Sequence, residues 1–111
     1  MKAKVNASAQ KKIGEMARRI VERFHPDKII LYGSHARGTA GPDSDVDLLI
    51  VMNAERSNRE MAVEIGVELQ DIRLPKDIIV VRPEAFEWRR NVVGTIEWPA
   101  AREGKVLYAR P

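Results

Sequence analysis

Residues 29–51 read IILYGSHARGTAGPDSDVDLLIV, and the order of physical character along this stretch decides the fold. Ile29-Ile30-Leu31-Tyr32 is a short run of strand formers closed by Gly33, the pattern of a buried strand. Val46–Met52 is a second buried strand, with Asp47 embedded in it. Between them, residues 34–44 carry Gly38, Gly41 and Pro42 as punctuators and read as a loop with room for one helical turn.

Working outward, Ile13, Met16, Ala17, Ile20, Val21 and Phe24 recur at steps of three and four, so residues 8–24 read as an amphipathic helix. His25-Pro26-Asp27 ends it. Downstream, Ser57-Asn58-Arg59-Glu60 has the spacing of a capping box, which opens a helix predicted to run to about Ile72. Met61, Ile65, Leu69 and Ile72 share one face of it. Pro75 precedes a third strand, Asp77–Val81, and Pro83-Glu84 starts a third helix. A short helix within 95–103, interrupted or initiated near Pro99, ends at Gly104, and Lys105–Tyr108 reads as a last strand. Buried strands alternating with amphipathic helices give an α/β layer fold. With 111 residues and no linker-like tract, residues 1–111 are expected to form one domain.

Composition narrows the chemistry. Hydrophobic residues make up 44% of the chain, too many for a disordered protein. Zero Cys excludes disulfides, iron–sulfur clusters and thiolate zinc, and two His leave little for an imidazole metal centre. Oxygen-ligated metals stay open. The longest apolar run, Leu48–Met52, is far short of the roughly 20 residues of a spanning helix. No apolar signal core follows the basic N-terminus, so no membrane association is expected and the expected setting is the cytoplasm. Charge is uneven: residues 1–37 hold nine Lys/Arg against three Asp/Glu, or +6, and residues 38–111 hold ten against thirteen, or −3. On charge alone this fits a solvated helix face better than an anionic ligand met with divalent cations.

Asp45 and Asp47 stand two apart at the mouth of the second strand, so both side chains point to one face, about 7 Å apart along the backbone. Asp77 opens the third strand at an equivalent height if the two strands are neighbours. Carboxylates gathered at one sheet edge repel and need a compensating cation. Two or three of them suit Mg²⁺ or Mn²⁺, and two such metals can support phosphoryl transfer. An Asp-x-Asp pair alone is a weak signal. Asp43 and Asp45 could instead cap the loop around Ser44, and Asp77 could merely start a strand. The turn adds weight: Gly33 allows close backbone approach, Ser34 offers a hydroxyl and an N–H to phosphate, and Arg37 can reach a phosphate bidentately. It is not a Walker A loop.

Joined, the pieces are specific: Gly33-Ser34, ten residues, Asp45-x-Asp47, and Asp77 thirty residues on. GSHARGTAGPDSDVDLLIV resembles the signature of the minimal nucleotidyltransferases in the polymerase-beta superfamily, including Ala36-Arg37-Gly38 and Ser44-Asp45. Nearly the whole chain follows that family's order. The resemblance implies a small mixed sheet flanked by helices, the polymerase-beta-like nucleotidyltransferase fold. It implies that Asp45 and Asp47 bind both of two Mg²⁺ ions, that Asp77 binds the one activating the acceptor hydroxyl, and that Gly33, Ser34 and Arg37 hold the triphosphate of ATP. His35, where the family varies, is expected to be a solvent-facing loop residue. Relatives of this kind act as antitoxins beside a HEPN-domain ribonuclease toxin, and some transfer AMP to its tyrosine.

Two other readings stand beside that one: a binding module that neutralises its partner by complex formation alone, and a small-molecule nucleotidyltransferase. The short chain disfavours the last. Base preference and oligomeric state are not legible. Phe86, Trp88 and Trp98 are expected to close the core rather than form a partner patch, and Arg89-Arg90 to be a solvated face rather than a nucleic-acid contact. Lys2, Lys4, Lys11 and Lys12 are expected to form a frayed, solvated end.

Overall fold

A computed structural model describes the backbone of residues 2–111 and the side chains of residues 8–111. Four strands, β1 (Lys28–Tyr32), β2 (Val46–Val51), β3 (Lys76–Val81) and β4 (Lys105–Ala109), form one sheet in the order β3-β2-β1-β4. β1 pairs antiparallel with both β2 and β4, and β2 pairs parallel with β3, so the sheet is mixed. The helices are α1 (Lys2–Phe24), α2 (Ser34–Arg37), α3 (Asn58–Glu68), α4 (Pro83–Arg89) and α5 (Glu97–Glu103). The parallel pair needs a crossover, and α3 supplies it.

Side-chain alternation on β2 divides the molecule into two layers. Val46, Leu48 and Ile50 face a large core with Ile13, Met16 and Ile20 of α1 and Met61 and Ile65 of α3. Leu49 and Val51 face a smaller cluster with Ile30, Val81, Phe86 of α4 and Ala100 of α5. β2 is thus buried on both sides, as its continuous apolar run requires.

Several boundaries differ from the sequence reading. α1 begins at Lys2, not residue 8, because the Lys and Ala before Ser8 are strong helix formers even without an apolar stripe. The side chains of Lys2 and Lys4 lie outside the described residues. Lys12 is not part of a loose end: its Nζ donates to the Arg73 carbonyl at 3.1 Å and ties α1 to the turn after α3. α3 has its full capping box, with Ser57 and Glu60 each bonding the other's backbone N–H at 3.1 Å. It ends at Glu68, four residues short of Ile72, because tighter turns take over: Gln70 N donates to Val67 O at 3.3 Å and Ile72 N to Leu69 O at 3.0 Å. Ile72 is still buried, so the apolar stripe outlasts the helix. Pro99 lies in the first turn of α5, where a missing N–H breaks no helical bond. Among the described residues, no helix is long and apolar enough to cross a membrane.

Candidate active site

Chain order places Tyr32 at the end of β1, Asp47 one residue into β2 and Asp77 one residue into β3. In the sheet, Tyr32 pairs with Asp47 and Asp47 with Asp77, a straight row across three strands. By alternation, Asp47 and Asp77 share the face of Leu49 and Val81, the one covered by α4 and α5. Neighbouring strands lie about 4.8 Å apart, so the two carboxylates are immediate neighbours. Asp45, two residues before Asp47, is exposed at the strand mouth.

Gly33 is fixed by both conformation and space. Its φ of +78° disfavours any side chain, and a Cβ built there would stand 2.3 Å from the Asp47 Oδ2. The Gly33 carbonyl accepts from the N–H groups of Ala36 and Arg37, each at 3.1 Å, which winds the chain into α2 directly after the strand. Ser34 opens that turn. Arg37, on its outer side, is half exposed with Nη1 3.9 Å from Glu103. Gly38, also at φ +78°, closes the turn with its N–H on the Ser34 carbonyl.

The connecting loop is closed by other groups than expected. Ser44 does the capping: its Oγ accepts from Gly41 N at 2.9 Å and its N–H donates to Gly41 O at 3.2 Å, leaving Asp45 exposed. His35 is not a solvent-facing loop residue. It is half-buried, with Nε2 3.2 Å from the Ser44 carbonyl, and pins the far end of the loop to α2.

Electrostatics follow the geometry. Burial first, then Asp77 and Asp45, push the Asp47 carboxyl above its ordinary value, while His35 and Arg37 pull it down. Burial, then Asp47, Asp77 and Glu97, push the Tyr32 phenol up to about 12. This last neighbour escaped the sequence reading. Glu97, the first residue of α5, is 3% exposed, and Arg89 lies 3.8 Å from it. At the start of a short helix, a Glu looks like an ordinary first-turn acid favoured by the helix dipole. Its signal was the apolar flanks, Ile96 and Trp98.

Among the described residues, no three His, Cys, Asp or Glu side chains close into a ready-made metal cage. Asp47 and Asp77 stand side by side on neighbouring strands, and Asp45 lies two residues before Asp47 at the exposed mouth of β2. An open, crowded, oxygen-only set of this kind suits Mg²⁺, which is commonly held by one or two carboxylates and completed by substrate phosphates.

The aromatic residues divide. Phe86 is buried in the core as expected, but Trp88 is 60% exposed and does not close it. Trp98 is half-buried with the Arg102 guanidinium stacked 3.5 Å from its ring centre.

The glycine–serine turn thus stands beside Asp47 and Asp77 at one edge of a small mixed sheet. The family model described as nucleotidyltransferase domain matches residues 13–99, and the chain belongs to that family. The fold is similar to that of a Sulfolobus solfataricus protein assigned as a nucleotidyltransferase, with a TM-score of 0.68, 19% identity, and coverage of 98% of this chain and 87% of that one. It is similar also to a mutant of the toxin–antitoxin MntA-HpeT, with a TM-score of 0.58, 20% identity, and coverage of 91% and 72%. A toxin–antitoxin structure with AMP-PNP matches with a TM-score of 0.56, 18% identity, and coverage of 87% and 73%. Among curated proteins, none matches.

Proposed function

We propose that this nucleotidyltransferase transfers AMP from ATP, with Mg²⁺, to a hydroxyl of a HEPN-type toxin, most simply a tyrosine, and so acts as its cytoplasmic antitoxin. The observation that carries the reading is the Asp47–Asp77 register, with Gly33 packed directly against the Asp47 carboxylate. The similarity of the fold to toxin–antitoxin structures, one with an ATP analogue, supports the choice of partner and nucleotide.

The roles follow from position. Gly33 brings the backbone close to the triphosphate, Ser34 offers its hydroxyl and N–H, and Arg37 offers its guanidinium. Asp45, Asp47 and Asp77 would hold Mg²⁺, which when bound offsets phosphate charge and makes an acceptor hydroxyl more nucleophilic. In the transfer the acceptor oxygen would give up its proton to solvent and bond to the α-phosphorus as the bond to pyrophosphate breaks in line. The intact aspartate row favours catalysis over neutralisation by complex formation alone.

The test incubates the protein with α-labelled ATP, Mg²⁺ and the product of the adjacent gene. Label on the partner that disappears with Asp77→Ala is the expected result. Tight complex formation without label on the partner would overturn the catalytic reading and leave the binding module in its place.

A further inference from the structure

From the last turn of α4 to the start of α5, residues 88–96 form a short arch that carries four of the seven exposed large apolar side chains among the described residues. Trp88 is 60% exposed, Val92 38%, Val93 74% and Ile96 43%, four large apolar side chains within nine residues. Such a concentration is uncommon on a monomer surface without a binding role. The arch is built to hold its shape. Thr95 Oγ1 donates toward the carbonyls of Arg89, at 2.9 Å, and Val92, at 2.8 Å, and accepts from Trp98 N at 3.2 Å. Arg102 donates to the Arg90 carbonyl at 2.6 Å, and Gly94 supplies the left-handed residue the turn needs, at φ +99°. Apolar side chains presented on a pinned backbone lose little entropy on docking.

The arch also borders the reaction face. α5, which it feeds, packs against β1, begins at Glu97, whose charge acts on the Tyr32 phenol, and ends at Glu103, 3.9 Å from Arg37 of the glycine–serine turn. A molecule seated on the arch therefore lies along the flank of the site. Its chemistry is set by the cations around the apolar groups. Arg89 lies 5.6 Å from the Trp88 ring centre, and Arg102 is stacked on Trp98. The nearest carboxylates to Arg89 and Arg90 are each 3.8 Å away, long for ion pairs, so both guanidiniums keep donors to offer. Aromatic and Arg side chains of this kind are the groups that anchor protein interfaces.

We propose that the arch is the docking surface for the acceptor, a protein partner that presents an apolar segment rimmed by carboxylates and so delivers its hydroxyl to the aspartate row. This rests on the reading of the acceptor as a protein, and goes beyond it by naming the surface and the chemistry it fits.

The test uses the full chain and the co-expressed product of the adjacent gene as probe. Trp88→Ala and Val93→Glu alter exposed side chains, and Val63→Glu, on the exposed side of α3 at 59% exposure, is the control. In calorimetric titration the two arch variants should weaken the complex by at least about tenfold, the scale of an interface anchor. Val63→Glu should bind as the parent does, and all three should keep the parent's affinity for ATP with Mg²⁺. Unchanged partner affinity in both arch variants overturns the proposal, as does a parent chain that forms no complex with the probe. Loss of self-association in the arch variants, by sedimentation, would assign the surface to a second copy, and loss of a single-stranded RNA shift would assign it to nucleic acid; either result overturns it. A parent chain that binds the probe through the arch yet transfers no label refutes the catalytic reading while leaving the docking surface standing.

Discussion

The two faces of the sheet are made by one alternation and yet do opposite work. On the side of α1 and α3, every inward residue of β2 is apolar, and long helices cover it. On the side of α4 and α5, the same strand contributes Leu49 and Val51 but begins with Asp47, and the covering helices are only seven residues each. The thick face supplies the stability. The thin face leaves the strand mouths open, and there the chain places Asp47, Asp77 and Tyr32, groups that would be costly in a core. Crowded carboxylates and a half-buried phenol are tolerated because the opposite face holds the sheet rigid beneath them.

That contrast can be broken one side at a time. The largest effect is expected from Asp47→Asn, which should lower nucleotidyl transfer by more than about a hundredfold, beyond the loss produced when only an outer partner of a metal ligand is changed. Its melting temperature should be unchanged or raised, because like-charge crowding is relieved. A large loss of stability would show that Asp47 belongs to the structural face after all. Leu48→Ala, one residue away and pointing the other way, should do the reverse. Denaturant unfolding should register a loss of about 2–5 kcal/mol for this fully buried residue, with nucleotide affinity retained in the fraction that stays folded.

Gly33→Ala tests the junction between the faces. With a Cβ at 2.3 Å from the Asp47 carboxylate and φ at +78°, it should cost about 1–3 kcal/mol of stability and also displace Asp47, so that ATP affinity falls with it. A smaller effect is spectroscopic. The Tyr32 phenol, held up at about 12, should ionise late in an ultraviolet titration of the folded protein. The sign is fixed: the unfolded chain's tyrosine loses its proton near about pH 10 and the folded one later, so stability falls as pH rises from about 10 to 12. Replacing Tyr32 with Phe should flatten that fall.

The smallest effect belongs to the thick face's rim. Asp71 accepts from Arg19 at 2.6 and 2.8 Å, and this hydrogen bonding holds its carboxyl below the ordinary value. Its contribution is present above the unfolded value of about 3.9 and lost as pH falls through the folded value. Asp71→Asn should therefore lower the melting temperature slightly at pH 7 and not at all in strong acid.

Most of the fold was legible because its determinants are local. β1 and β2 were readable as short apolar runs ended by Gly33 and opened by the Asp45-x-Asp47 step, and α3 by its capping box. What stayed hidden depends on tertiary contacts. The end of α3 was set by tight turns that keep Ile72 in the core, while its periodicity ran on regardless. The pairing of Asp47 with Asp77 was conditional until β2 and β3 were seen to be neighbours. His35 and Ser44 form their bond across a loop of nine positions, which no periodicity reports. Glu97 was missed because its burial is conferred by packing against the sheet and not by anything in its own turn. Trp88 was misread for the converse reason: an aromatic in a short amphipathic stretch is expected inside, and α4 has only one side facing the sheet.

The thin face is expected to bind nucleotide through a cation held by its aspartates, and calorimetric titration of ATP measures that most directly. The parent chain should bind ATP at least about tenfold more tightly with Mg²⁺ or Mn²⁺ than with EDTA, as expected when carboxylates and phosphates share one ion, and Asp47→Asn should lose that difference. Equal affinity with and without the divalent cation in the parent chain would contradict it.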